Sequence, residues 1–232
     1  MKRKISFAPG EYYHIYNRGV EKRKIFLNRS YYKRFLLLLF LCNSSEPVDV
    51  RSHFHKGPSF EDLKEFERGN PLVEIGAYCL MPNHFHLLLK EINEGGITAF
   101  MKKLGTAYAM YFNKKEERKG TLFQGRFGAQ WLNRDRYLKY VFAYIHLNPI
   151  KLVCPSWKEG KIDDINKIKK FLNSYIWSSY PSYSKGSGRD LILNKEPFPE
   201  YFKNNVDFKK FINDWLALRN NLTKDRPWQD IV

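Results

Sequence analysis

The chain of 232 residues has little cysteine: Cys42, Cys79 and Cys154 are odd in number, scattered, and lack metal-ligand spacing. That argues against a disulfide framework and a thiolate metal site, and fits a reducing compartment. Long apolar runs are missing too. The longest, Phe35 to Cys42, is eight residues, against about 20 for a membrane span. No continuous apolar segment follows the basic Met1-Lys2-Arg3-Lys4, so no signal peptide is expected, and the expected location is cytoplasmic. There is no internal repeat and no Walker-type Gly-Lys-Ser/Thr loop. Acidic groups are scarce, 24 Asp+Glu against 40 Lys+Arg, for a formal net charge of +16.

What is present is aromatic and basic. With 43% apolar residues, including 5 Trp, 15 Tyr and 18 Phe, the chain can build a core and is not globally disordered. The positive charge falls in blocks. Residues 1–34 carry 10 basic and 2 acidic groups, 35–97 carry 5 and 9, and 98–151 carry 11 and 3. Tyr108, Tyr111, Phe112, Phe123 and Phe127 interleave the third stretch. Cations that track phosphates beside rings that stack on bases are what a single-stranded nucleic-acid groove requires. A polyanionic partner follows, nucleic acid before an anionic membrane.

The pattern of elements gives a fold. Residues 11–17 read as an aromatic-rich strand stopped by Arg18-Gly19, and Ser30 as the cap of a leucine-dense helix over Tyr31–Cys42. A Pro- and Gly-containing connector over 43–72 holds one short helical piece, 60–67. Strands at 73–80 and 84–90 flank the tight turn Met81-Pro82-Asn83. Thr98 is expected to cap a helix to Lys115, followed by a basic Gly-punctuated loop over 120–128 and a short strand at 129–132. Asn133 or Asp135 should cap a last helix that ends near Asn148, because Pro149 disfavours helix before it. The order β-α-β-β-α-β plus one helix is the split-βαβ, ferredoxin-like α+β order, an antiparallel sheet with helices on one face. Residues 1–153 are expected to form this domain. Residues 154–232 read as a mostly helical, basic extension with a Ser-Gly loop at 184–188.

Two histidine pairs share the spacing that puts both rings on one face of a strand, His53/His55 and His84/His86. The first sits in the polar connector and reads as surface. The second opens an apolar strand straight after a tight turn, which gives rigid placement, so His84 and His86 are the expected metal ligands, against the alternative of two satisfied histidines at a sheet end. In the last helix, Tyr144 and Asn148 stand four residues apart on one face. Asn148 offers a carbonyl oxygen to a hard cation, and Tyr144 a hydroxyl that can attack phosphorus once its ordinary pKa near 10 is countered by a cation. The competing reading is an aromatic stripe, Tyr137, Tyr140 and Tyr144, facing the core.

Met81-Pro82-Asn83-His84-Phe85-His86-Leu87-Leu88-Leu89 resembles the histidine–hydrophobic–histidine signature of the IS200-like single-tyrosine (HUH) transposases. Tyr144-Ile145-His146-Leu147-Asn148-Pro149 resembles their tyrosine helix. Tyr13-His14-Ile15-Tyr16-Asn17-Arg18-Gly19 and Phe123-Gln124-Gly125-Arg126-Phe127 add to the likeness, which covers residues 11–153 and is strongest to the REP-associated tyrosine transposases. The resemblance implies a ferredoxin-like nuclease fold, with His84, His86 and Asn148 holding Mg2+ or Mn2+ and Tyr144 as nucleophile. It further implies cleavage and rejoining of single-stranded, hairpin-bearing DNA through a 5′-phosphotyrosine, by a bacterial-type nucleoid-associated protein acting as monomer or homodimer. His146 falls on a different helical face and is expected to be structural. Arg18, Lys102, Lys103, Arg126, Arg134 and Arg136 are the expected phosphate contacts. The alternative is a non-catalytic DNA- or RNA-binding module on the same scaffold.

Overall fold

The computed structural model describes residues 5–47, 61–159, 164–186, 191–199 and 204–221. His53 and His55 lie outside them, as does part of the Ser-Gly loop. The elements are β1 (Tyr12–Arg18), α1 (Arg29–Leu41), β2 (Val73–Met81), β3 (His84–Glu91), α2 (Gly96–Lys115), β4 (Gly128–Trp131), α3 (Asp135–Leu147), α4 (Ile165–Ser174), α5 (Tyr180–Ser184) and α6 (Asn205–Asn221), with a 3-10 turn over Asn148–Leu152. The four strands form one sheet in the order β2-β3-β1-β4, every neighbouring pair antiparallel. This is the α+β, split-βαβ order expected from the sequence.

Alternation along β1 divides the core. Tyr13 and Ile15 face one side with Phe85, Leu87 and Leu89 of β3, where Phe35, Leu39, Phe100 and Leu104 of α1 and α2 cover them. On β2 the alternation changes phase at Gly76. The register slips between Ile75 and Ala77, so Val73 and Ile75 join the first side while Ala77, Cys79 and Met81 join the second. One extra residue in a strand sends every following side chain to the opposite face. Gly76 also admits a neighbour. A Cβ there would lie 2.5 Å from the Phe198 ring, so the missing side chain is what lets the C-terminal segment dock.

The second face is covered by α3 and by helices of the C-terminal region, through Val141, Phe142, Leu172, Phe208 and Ile212. Helices thus lie on both faces, the pair from the βαββαβ unit on one and the later ones on the other. The C-terminal region is bonded to the sheet as well as packed on it. Leu80 N–H donates to Trp177 O (2.9 Å), Ser179 N–H to Tyr78 O (2.9 Å), Asn194 N–H to Ile75 O (3.1 Å), and the Tyr12 hydroxyl to Pro197 O (2.8 Å). Among the described residues no helix is long and apolar enough to cross a membrane.

Three expected caps are corrected. α1 is capped by Asn28, whose Oδ1 accepts from Ser30 N–H, so Ser30 lies inside the first turn. Asn is as good a cap as Ser, and comes first in the chain. α2 starts at Gly96 behind Gly95 (φ 80°), and its first turn is held by the Glu91 carboxylate accepting from Ile97 N–H at 2.8 Å. A carboxylate from the preceding strand does the work assigned to Thr98. Neither Asn133 nor Asp135 caps α3. Its N-cap is Arg134, without a side-chain bond, and Asp135 is the first helical residue, where its charge suits the helix dipole.

Candidate active site

β3 begins directly after the Met81-Pro82-Asn83 turn, so His84 and His86 share the second face, with ring centroids 5.0 Å apart. α3 runs across that face and brings Tyr144 to 5.2 Å from His86, ring to ring. Leu147 ends α3, and Asn148 opens the 3-10 turn with its side chain fully buried. The four residues expected to carry the chemistry therefore converge on one point of the fold. His146 does not: its Nδ1 lies 2.8 Å from Phe142 O and its Nε2 2.8 Å from the Ser179 hydroxyl, a structural role.

Electrostatics follow burial. The His84 imidazolium is disfavoured by burial first and then by the Lys151 cation, with Arg18 adding to it, so its pKa falls to about 4. Tyr144 is pushed well above 10 by burial, while hydrogen bonding from Asn148 pulls the other way. Asn148 is thus close enough to bias both neighbours, yet neither its Oδ1 nor its Nδ2 completes a well-formed hydrogen bond. A buried amide left in that state costs about 1–3 kcal/mol, and it is the donor type a hard cation takes.

Whether the side chains suit a divalent ion turns on their nitrogens. Asn83 Nδ2 donates to Lys22 O (3.1 Å), which orients the amide so that its Oδ1 faces His84 Nδ1 at 2.6 Å. Oδ1 only accepts, so the His84 proton is on Nδ1 and Nε2 is the nitrogen left with a lone pair to offer a cation. His86 Nδ1 is 2.9 Å from His14 Nε2, so the two rings share one proton between these nitrogens. Among the described residues no three His, Cys, Asp or Glu side chains form a metal cluster. Two imidazoles and the Asn148 amide oxygen fit a hard divalent ion that keeps open positions for water or phosphate oxygens.

The basic residues divide by place. Arg18 pairs across the sheet with His84 and is held by the Gln124 side chain, while Asn17 Nδ2 donates to Gly125 O at 3.3 Å. The 120–128 loop is thereby fastened to the histidine end of the sheet. Arg126 lines an open groove of about 540 Å3 against Gly105, Ala109 and Met110 of α2. Lys102 is exposed on α2, whose core side chains pack on the first face of the sheet. Lys103 donates to Ser44 O and Glu46 O, at 2.5 and 3.0 Å, and so ties down the chain after α1. Arg134 and Arg136 stand at the far end of α3, eight to ten residues from Tyr144, or about 12–15 Å along the helix. Arg136 lies over the Tyr137 ring.

Four residues near the site were missed by sequence reading. His14 is buried against His86; Tyr16, 6.1 Å from the His86 ring, is packed over Gly128; Asn83 orients His84; and Lys151 is a cation beside His84. The period-2 pattern of Tyr12, His14 and Tyr16 put the first two on one face with a third, but their pairing with β3 is not written locally. Asn83 was legible only as a turn residue.

Residues 63–148 match the family model described as IS200-like transposases, and that segment contains His84, His86, Tyr144 and, as its last residue, Asn148. The family found over this segment is the one the motifs resemble. No curated protein matches. Among solved structures, a REP-associated tyrosine transposase bound to a REP hairpin is 14% identical, with a TM-score of 0.45 over 79% of this chain and 84% of that one.

Proposed function

We propose that this protein, carrying an IS200-like transposase segment, is a metal-dependent strand-transfer enzyme. It acts on single-stranded, hairpin-bearing DNA through a 5′-phosphotyrosine. The observation that carries the reading is the placement of Tyr144 5.2 Å from the ring of His86, with His84 and the unsatisfied Asn148 amide beside it. His84 Nε2, His86 Nε2 and Asn148 Oδ1 would hold Mg2+ or Mn2+, which supplies Lewis-acid polarisation of the scissile phosphate.

The chain's own groups do the rest. Arg18 and Lys151, the cations whose fields reach His84, bind the phosphate oxygens and draw the polyanion in. Tyr144 Oη attacks phosphorus, the P–O3′ bond breaks, and the phenolic proton leaves for solvent as the 3′-oxygen is released as a hydroxyl. One phosphoester replaces another, so rejoining by the reverse attack of a 3′-OH needs no nucleotide triphosphate. Burial disfavours the Tyr144 phenolate, so the hydroxyl stays protonated until cationic charge is brought to it. The Asn148 amide favours the anion from the side of the 3-10 turn.

The test is a labelled hairpin oligonucleotide with Mn2+, wild type against Tyr144→Phe. A covalent protein–DNA adduct formed by the wild type alone is expected. Cleavage without an adduct would mean a plain nuclease that uses water. Binding without cleavage on every hairpin tried would mean a DNA-binding module.

A further inference from the structure

We propose that His14 is a positioning residue for the metal site: it accepts the Nδ1–H of His86 and so holds that ring with the Nε2 lone pair turned towards the ion. The inference rests on the metal reading of His84 and His86 given above. β1 and β3 pair antiparallel with Tyr16 opposite His86 and His14 opposite Leu88, which makes His14 the diagonal neighbour of His86 on the same face. Their rings stack at 26° with centroids 5.0 Å apart, and Nε2 of one lies 2.9 Å from Nδ1 of the other. Both side chains are buried, at 2% and 5% exposure.

A neutral imidazole has one proton for two nitrogens, so a nitrogen–nitrogen contact of this length must hold one proton between the rings. Two arrangements satisfy it. With the proton on His14 Nε2, the His86 proton sits on Nε2 and blocks coordination. With the proton on His86 Nδ1, the Nε2 lone pair is available. The second arrangement repeats what Asn83 does for His84, so both histidines present the same nitrogen. It is the carbonyl– or carboxylate–histidine–metal pattern with an imidazole as the outer partner. The position of His14 carries a cost. Its Nδ1 is buried without a hydrogen-bond partner, a cost that an aliphatic residue at this strand position would avoid.

The full-length chain tests this with His14→Phe, which keeps a ring but cannot accept, and His14→Gln, whose amide oxygen can. In the Mg2+-saturated wild type, 15N NMR of the imidazoles should place the His86 proton on Nδ1. Mn2+ affinity, read from the free-ion EPR signal, should fall about 10–100-fold in His14→Phe and recover in His14→Gln, and hairpin cleavage should lose kcat at unchanged KM. A His86 proton on Nε2 in the Mg2+ form, or equal Mn2+ affinity in wild type and a folded His14→Phe, overturns the inference alone. A wild type that binds no Mn2+ overturns the metal reading and this inference with it. If His14→Phe does not fold, the wild-type tautomer decides.

Discussion

Replacing Asn148 by Leu should make the metal-free protein more stable and the metal-bound protein inert. The side chain is fully buried at the first residue of the 3-10 turn, and neither of its polar atoms completes a well-formed hydrogen bond. Burying an amide that way costs about 1–3 kcal/mol. Leu has nearly the same length and no polar atom, and part of the gain is lost to its extra bulk and to the weak contact with His84 and Tyr144. A net stabilisation of about 1–2 kcal/mol is expected, which for a chain of this size raises Tm by roughly 2–8 °C. Thermal denaturation without metal reads the first half. Adding Mn2+ reads the second: an ion that binds only the folded state at 100 times its Kd stabilises by about 2.7 kcal/mol, and the wild type alone should gain it. The two proteins then exchange rank, the variant ahead without metal and behind with it. A variant less stable than wild type without metal would refute the reasoning, because it would mean that the amide is satisfied where it lies.

Burial holds the His146 pKa at about 3, while the unfolded chain titrates near 6.5. Between these values the unfolded state binds the extra proton, so stability is complete above about pH 6.5 and falls as pH drops toward 3, by about 2 kcal/mol at pH 5; denaturant titrations should show a shallower pH slope in His146→Phe. Gly76→Ala would put a Cβ 2.5 Å from the Phe198 ring, costing about 1–3 kcal/mol, and the loss should be non-additive with Phe198→Ala in a double-mutant cycle. Arg126→Ala should lower hairpin affinity and reduce the salt slope of log K by about one. Lys103→Ala should leave that slope unchanged and instead lower Tm, because Lys103 Nζ is bound to two backbone carbonyls.

Much of the candidate site was legible in the sequence. The Pro82-Asn83 turn, the His84-Phe85-His86 spacing and the four-residue step from Tyr144 to Asn148 are local, and local geometry is set by periods of 2 and 3.6 residues. The same periodicity separated His146 from Tyr144. The surroundings of the basic residues were less legible: Lys103 and Arg136 are as basic as Arg18, and nothing local reveals that one is tied to Ser44 and Glu46 and the other laid over Tyr137. The caps misread at Ser30, Thr98 and Asn133/Asp135 differ in cause: Asn28 comes before Ser30, the acceptor at α2 arrives from Glu91 of the preceding strand, and α3 has Arg134 as its N-cap with no side-chain bond.

By itself the sequence determined the antiparallel split-βαβ order, the metal-ligand candidates on one strand face and the net positive charge, because strand alternation, turn chemistry and summed charge need no partner to be read. The tertiary structure alone decided the rest. Gly76 shifts the phase of β2 and opens a seat for Phe198, so residues after 153 close the second face of the sheet. The antiparallel register of β1 on β3 sets His14 against His86, and the crossing of α3 over that face leaves Tyr144 buried beside them. These are contacts between residues far apart in the chain, 72 positions for His14 and His86 and more for Gly76 and Phe198. Each depends on how strands pair and faces pack, and no window of the chain contains both partners.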